Sequence, residues 1–373
     1  MIRPLNGITV LDFSTLLPGP MATLILAEAG AEVIKVERPG RGDDMRSFLP
    51  QWGTDSVNFA MLNRGKKSLM LDLKSSDDRA NLKPLIARAD VIVEQFRPGV
   101  MARLGLDYAS VSRDNPRIIY CAITGYGQDG PKRDVAGHDL NYVGDSGLLA
   151  LSMGDPAHPV VPPALIADIA GGAYPAVMNI LFALMARDRT GHGCQLDISM
   201  SDNLFPFMYW ALGEGLGAGQ WPGNGTTLVC GGTPRYRLYV TQDKQVIAAA
   251  PLEQKFWDEF CEIVGLETDL RDDTTDQART MARVEEIIGS HPVEVWRSRF
   301  AGRDCCCSVV GDLKAAVNDP HFCARGLFDY QLANAVGVTI PALPVPLVAA
   351  FRANKSVVSS APQLGANNSE FGA

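Results

Sequence analysis

The chain has 373 residues, 46% of them hydrophobic and 20% charged, with a formal net charge of −8. At roughly 150 residues per domain this is enough for two domains, and the apolar share supports a buried core without disulfide or metal staples. The acidic balance argues against a nucleic-acid surface, which needs a basic field, but leaves room for an anionic ligand in a local basic cluster.

In chain order, ITVLDF (8–13) is a short β-branched apolar run, and PGPMATLILAEAGA (18–31) follows at helical spacing with proline near its start. AEVIKVER (31–38), LMLDL (69–73), DVIVEQF (90–96) and RIIYCAIT (117–124) read as further strands, with LKPLIARA (82–89) as a helix. Alternating strand and helix with short connections predicts an α/β fold with a doubly wound parallel sheet. AYPAVMNILFALMA (173–186) contains Pro175 and Asn179, falls short of the roughly 20 residues a membrane span needs, and reads as a buried helix. After residue 200 the texture changes. FPFMYWALGEGLGAGQWPGNG (205–225) starts helical and ends loop-like, and RYRLYVTQDKQVIAAAP (235–251) reads as two antiparallel strands turning at Thr241–Lys244. FWDEFCEIVGL (256–266) and ARTMARVEEIIGSH (278–291) are amphipathic helices, so a smaller α+β domain is expected over 225–325. The large domain covers 1–205, and the weakly periodic tail (330–373) is expected to return to it. The N-terminus lacks a signal-peptide core and SEFGA carries no lipidation or peroxisomal signal, so a cytoplasmic protein without a membrane partner is the default expectation.

Eight cysteines include the run Cys305–Cys306–Cys307, no CxxC pair occurs, and His192 near Cys194 lacks further ligands. No metal site is expected, and the cysteines read as small buried hydrophobes in a reducing compartment.

LLPGPMA is neither GxGxxG nor a phosphate-binding loop of the GxxxxGK[ST] kind, so a nicotinamide or ATP site has little support. Basic residues do gather near the early strands: Arg38, the NRGKKS stretch with Arg64, Lys66 and Lys67, then Lys74, Arg97 and Arg103. Ligands of open α/β sheets bind at the carboxyl ends of strands, and such a cluster suits a polyphosphate. His138 closes a glycine-rich, charged stretch, GQDGPKRDVAGHDLNY (127–142). Asp168, in ADIAGGAY, stands where it could cap a helix or take part in chemistry, beside backbone N–H groups able to hold an oxyanion. Glu253, in PLEQKFW, could be a helix N-terminal acid or accept a hydrogen bond from an imidazole.

Taken together, GITVLDFSTLLPGPMAT, GAEVIKVERPGRGDD, LNRGKKSLMLDLKS, DVIVEQFRPGVMARLGLDY, TGYGQDGP, AGHDLNY, ADIAGGAY, TGHGCQLDISMSD and APQLGANNSEFG resemble the family III CoA-transferases (CaiB/BaiF), nearly end to end. Within that family the chain is similar to the 2-methylacyl-CoA racemases, because AGHDLNY resembles the motif carrying their catalytic histidine and Asp168 follows His138 by 30 residues. The resemblance implies that His138 and Asp168 are the two catalytic groups, that Glu253 supports the histidine, and that Tyr142 lines the acyl pocket. It implies that Arg38, Lys74, Arg97 and Arg103 contact the CoA nucleotide of an acyl-CoA thioester, with no separate cofactor. It further implies an interlocked homodimer whose active site joins the large domain of one chain to the small domain of the other. The expected reaction is inversion of a 2-methylacyl-CoA by two-base proton transfer, a step of lipid metabolism. The alternative is CoA transfer with Asp168 as nucleophile. GANN where the family often has GEHN or GEHT, and DCCCSVV in place of a pattern ending in Pro-Val, depart from the family.

Overall fold

Short β-branched runs flanked by glycine and proline form strands, and the computed structural model, which describes residues 2–372, places six of them in one parallel sheet. They are β1 (Thr9–Asp12), β2 (Glu32–Glu37), β3 (Lys67–Met70), β4 (Val91–Glu94), β5 (Ile119–Thr124) and β6 (Gln195–Ser199). The order across the sheet is β6-β5-β4-β1-β2-β3, and every pair is parallel. The chain therefore reverses its direction of winding between β1 and β4, which opens a crevice at their carboxyl ends. The interior strands are buried on both faces, as covered parallel sheets are. Leu11, Ile34, Leu69 and Ile92 pack against Leu82, Leu85 and Ile86 of a helix over Ser76–Arg88. Each such side chain contributes about 1.5–3 kcal/mol on full burial. That helix starts earlier than its apolar spacing indicates, because the Ser75 hydroxyl caps it at Asp78. Strand β6 has no counterpart in the strand reading, since its QLDIS pattern places polar residues at alternate positions on an edge.

Two compact units result. The first comprises the chain up to Ser146, Pro163–Phe205 and everything from Pro320 on; the second comprises Gly147–Pro162 and Pro206–Asp319. These bounds differ from the expected 225–325: the second unit starts earlier, ends sooner and adds a segment before the first unit resumes. In the first unit, α1 (Pro18–Glu28) follows β1. The tail returns to edge strand β3, where Ser68 N–H donates to Asn367 Oδ1 at 3.0 Å and Met70 N–H to Asn368 Oδ1 at 2.8 Å.

The apolar run near residue 180 is longer than it reads. A π-helical turn over Ala167–Ala173 leads without a break into α4 (Tyr174–Thr190), and together they are long and apolar enough, by length and composition alone, to cross a membrane. One face packs in the first unit through Ala176, Ile180 and Leu184, and Arg187 pairs with Asp90 at 2.9 Å. The other face exposes Met178, Phe182 and Met185, so this is not the buried helix the composition indicates.

In the second unit, β7 (Arg237–Val240), β8 (Val246–Ala249) and β9 (Cys307–Val309) form an antiparallel sheet. It packs on α5 (Gln254–Val264), α6 (Gln277–Gly289) and α7 (Val293–Phe300) around Tyr239, Trp257, Phe260 and Trp296. The cysteine run divides here. Cys305 is buried as expected, but Cys306 is exposed with φ 51°, and Cys307 is half-buried in β9.

Candidate active site

The crevice between β1 and β4 holds a cleft of about 450 Å³ lined by segments that follow four strands: Leu16 and Pro18, Gln95–Pro98, Gly125 and Tyr126, and Met200. Its remaining wall is the loop from Arg133 to His138 and the first turn of α3 (Asp139–Asp145), together with Asp168. His138, Asp168, Tyr142 and Arg97 thus share one cleft, although 30 residues separate the first two.

His138 is the residue before the first turn of α3, with extended backbone (φ −127°). Its own N–H donates to Asn141 Oδ1 at 3.0 Å, which fixes the turn. The ring is exposed. Tyr142, one turn on, is buried with its hydroxyl donating to the Gly137 carbonyl at 2.5 Å. A Cβ on Gly125 or Gly137 would come within 2.4 or 2.7 Å of that ring, so both positions must lack one. Burial, and then the Asp168 charge, raise the phenol's pKa above its ordinary value, so Tyr142 acts as a neutral wall.

Asp168 does not cap its helix. Asp139 does: its Oδ1 accepts the Asp168 N–H at 2.9 Å, and the Asp168 carboxyl is left to face the cleft. Burial, with the Asp139 carboxylate as a second cause, raises the Asp168 pKa to about 6. Two N–H groups expected to hold an oxyanion here are engaged, since that of Ile169 also donates, to the Leu165 carbonyl. The turn is seated by its glycines: a Cβ on Gly171 would lie 2.4 Å from the Met200 carbonyl oxygen, and one on Gly172 about 3 Å from Met200 and Pro18.

A second cavity of about 540 Å³ lies across the ends of β1, β2 and β3. Arg38, Lys74 and Arg103 line it with apolar Phe13, Leu71 and Leu73, and Phe96 borders both cavities. Arg38 is ion-paired to Asp44. Arg97 faces the first cavity and not the second.

Other basic residues proposed for an anion serve the fold instead. Arg64 is buried against Glu28 at 2.7 Å, Lys67 pairs with Glu32 at the start of β3, and Lys66 Nζ reaches Asp12, Thr23, Asn63 and the Pro20 carbonyl. Lys35 joins that buried group, bonding the Ser14 carbonyl at 2.7 Å and Asp43 at 2.9 Å. Asp43 in turn accepts the N–H of Leu16, a non-glycine residue at φ 62°. The loop between the two cavities is therefore clamped from beneath by buried charge. Glu253 lines neither cavity. It belongs to the second unit, where it is the exposed residue before α5, and its side chain makes no capping bond.

The strand order, the crevice at its switch point and two adjoining cavities, one lined by His138 and Asp168 and the other by Arg38, Lys74 and Arg103 together with Glu37, Asp43, Asp44 and Asp72, are those of an α/β fold with a ligand-binding crevice. The whole-chain comparisons make this specific, and the chain belongs to CoA-transferase family III, whose pattern it matches over residues 5–368. It is 34% identical to the alpha-methylacyl-CoA racemase of Homo sapiens, covering 87% of this chain and 82% of that protein. It is 33% identical to the acetyl-CoA:oxalate CoA-transferase of Acetobacter aceti, covering 92% and 89%. A CAIB/BAIF family protein from Brucella suis has the same fold, with a TM-score of 0.81 at 26% identity over 99% of this chain and 98% of that one.

Proposed function

We propose that the protein is a racemase that interconverts the two epimers of a 2-methylacyl-CoA thioester. The observation that carries this reading is the meeting of His138 and a half-buried Asp168 with a raised pKa in one cleft. The α-proton of a thioester is weakly acidic, so inversion needs a base on one face and an acid on the other. His138 takes the proton from one epimer while protonated Asp168 delivers to the opposite face, and the roles exchange in reverse. Each positioned transfer contributes about 10²–10⁴-fold.

CoA is the handle of the substrate, and no other cofactor takes part. Its phosphates lie with Arg38, Lys74 and Arg103, and the chain passes Phe96 and Arg97 to bring the thioester to the cleft. Two copies interlock, and Glu253 of a second copy orients the histidine. The apolar exposed face of α4 supports a dimer of this kind. CoA transfer is the second reading. It is favoured by the similarity to the oxalate transferase and uses Asp168 as nucleophile toward a thioester carbonyl.

The test is incubation with (S)-2-methylacyl-CoA in D₂O, with the α-position followed by NMR. Wash-in with growth of the R epimer, lost in both His138→Ala and Asp168→Ala, is expected. Absence of wash-in, with label passing from CoA thioester to an added carboxylate in a His138-independent way, replaces the racemase by the transferase.

A further inference from the structure

Asp139 is a carboxylate with no part in the proton transfers, yet it touches both ends of the catalytic pair. It is the first residue of α3, directly after His138, and it is only 7% exposed. Its Oδ1 receives the backbone N–H of Asp168 at 2.9 Å. The turn that carries His138 and the turn that carries Asp168 come from segments 29 residues apart, and this side-chain bond joins them.

We propose that Asp139 is a positioning residue that holds His138 and Asp168 in register through this one buried carboxylate, whose charge also acts on Asp168. The inference rests on the two-base reading of the cleft and adds a residue to it. A misplacement of about 1 Å at a reacting centre costs on the order of 10²-fold in rate, so the bond is worth more to turnover than to folding. The charge works in the same direction as burial, since a second anion nearby disfavours ionisation of Asp168. The other groups around Asp168 are His138 just before α3, Tyr142 from α3, Arg97 from the loop after β4, and Tyr126 and Arg133 from the loop after β5. Helix α1 and the segment after β6 meet the cleft with Pro18 and Met200.

Two variants separate the bond from the charge. Asp139→Asn keeps an oxygen acceptor for the Asp168 N–H and removes the charge, whereas Asp139→Ala removes both. The first readout is independent of any reaction: the Asp168 carboxyl is titrated by ¹³C NMR in the full-length protein, assigned by its loss in Asp168→Asn. Both Asp139 variants are expected to titrate at lower pH than wild type. The second readout is the pH profile of isomerisation. Asp139→Asn is expected to retain kcat within a few-fold at its own optimum, with the limb that Asp168 governs moved to lower pH. Asp139→Ala is expected to lose roughly 10–100-fold in kcat with little change in KM. An Asp168 titration unmoved in Asp139→Asn overturns the proposal, as does a wild-type kcat in Asp139→Ala. If Asp139→Ala does not fold, the Asp139→Asn titration still decides. If wild type does not isomerise the thioester, the racemase reading fails, while the titration continues to judge Asp139.

Discussion

The carboxyl of Asp168 is the residue on which the two candidate chemistries part. A two-base racemase works only while His138 and Asp168 hold one proton between them, whichever of the two carries it. Its kcat/KM is therefore expected to be bell-shaped and to fall at both extremes, with apparent pKa values that belong to the pair. A transferase needs only ionised Asp168, so its rate rises through about pH 6 to a plateau. Rate measurements with each substrate from pH 4.5 to 9 distinguish the two shapes. The neighbouring glycines carry a separate prediction. Gly171→Ala drives a methyl against the Met200 carbonyl, a backbone atom that cannot swing aside. It is expected to cost about 1–3 kcal/mol in urea unfolding and to lower kcat by displacing the turn that bears Asp168.

At the scale of the element, the decisive piece is the loop after β1. Its backbone depends on Lys35 and Asp43, buried beside Asp12 and Lys66. Burial alone pushes the Asp12 carboxyl up, but Lys66 and Lys35, with bonds from Ser14 and Thr23, hold it down at about 2. A depressed carboxylate contributes stability above its ordinary value, and that contribution is lost as pH falls from about 4 toward 2. Asp43→Ala leaves Lys35 without its ion-pair partner and the Leu16 N–H without its acceptor. Destabilisation of about 3–5 kcal/mol is expected in denaturant melts at pH 7. Five of the six strands of the main sheet were legible, because β-branched runs of four to six residues between turn signals have few alternatives, while β6 and β9 were not. The alternation in EVIKVE also hides a message: Lys35 and Glu37 sit in a fully buried strand, and charge there implies partners. Periodicity does not reveal which partners, since Asp12, Asp43 and Lys66 arrive from three different segments. For the same reason Arg64, Lys66 and Lys67 looked like anion ligands and are not. The meeting of His138 and Asp168 in one cleft follows the family motifs, while the bond from Asp168 to Asp139 was not legible, since a carboxylate beside a histidine gives no sign of a partner 29 residues away.

At the scale of the molecule, the two cavities and the Phe96 between them suit a ligand bound at one end and transformed at the other. Replacing Arg38, Lys74 or Arg103 by alanine is expected to raise KM roughly tenfold with kcat little changed, because those contacts are the same in ground and transition states. Raising salt should weaken binding in wild type more than in the variants, as screening predicts for exposed charges. The proposed dimer is addressed separately by Phe182→Glu, which places a charge on the apolar face of α4. Light scattering is expected to show a shift from dimer toward monomer or aggregate.

The return of the tail to β3 also has a consequence for biogenesis. Ser68 and Met70 meet Asn367 and Asn368 across sequence separations of 299 and 298 residues. While the chain is being synthesised, the edge of the main sheet is thus left open until residues 367 and 368 have emerged, after the whole second unit. Loop closure over such a span is slow, and an uncovered strand edge is a template for pairing with other chains. Completion of the first unit is expected to be late, after synthesis of the second, with chaperone demand concentrated in that interval. Loss of residues 365–372 should reveal it as aggregation of freshly made protein, out of proportion to the few contacts removed.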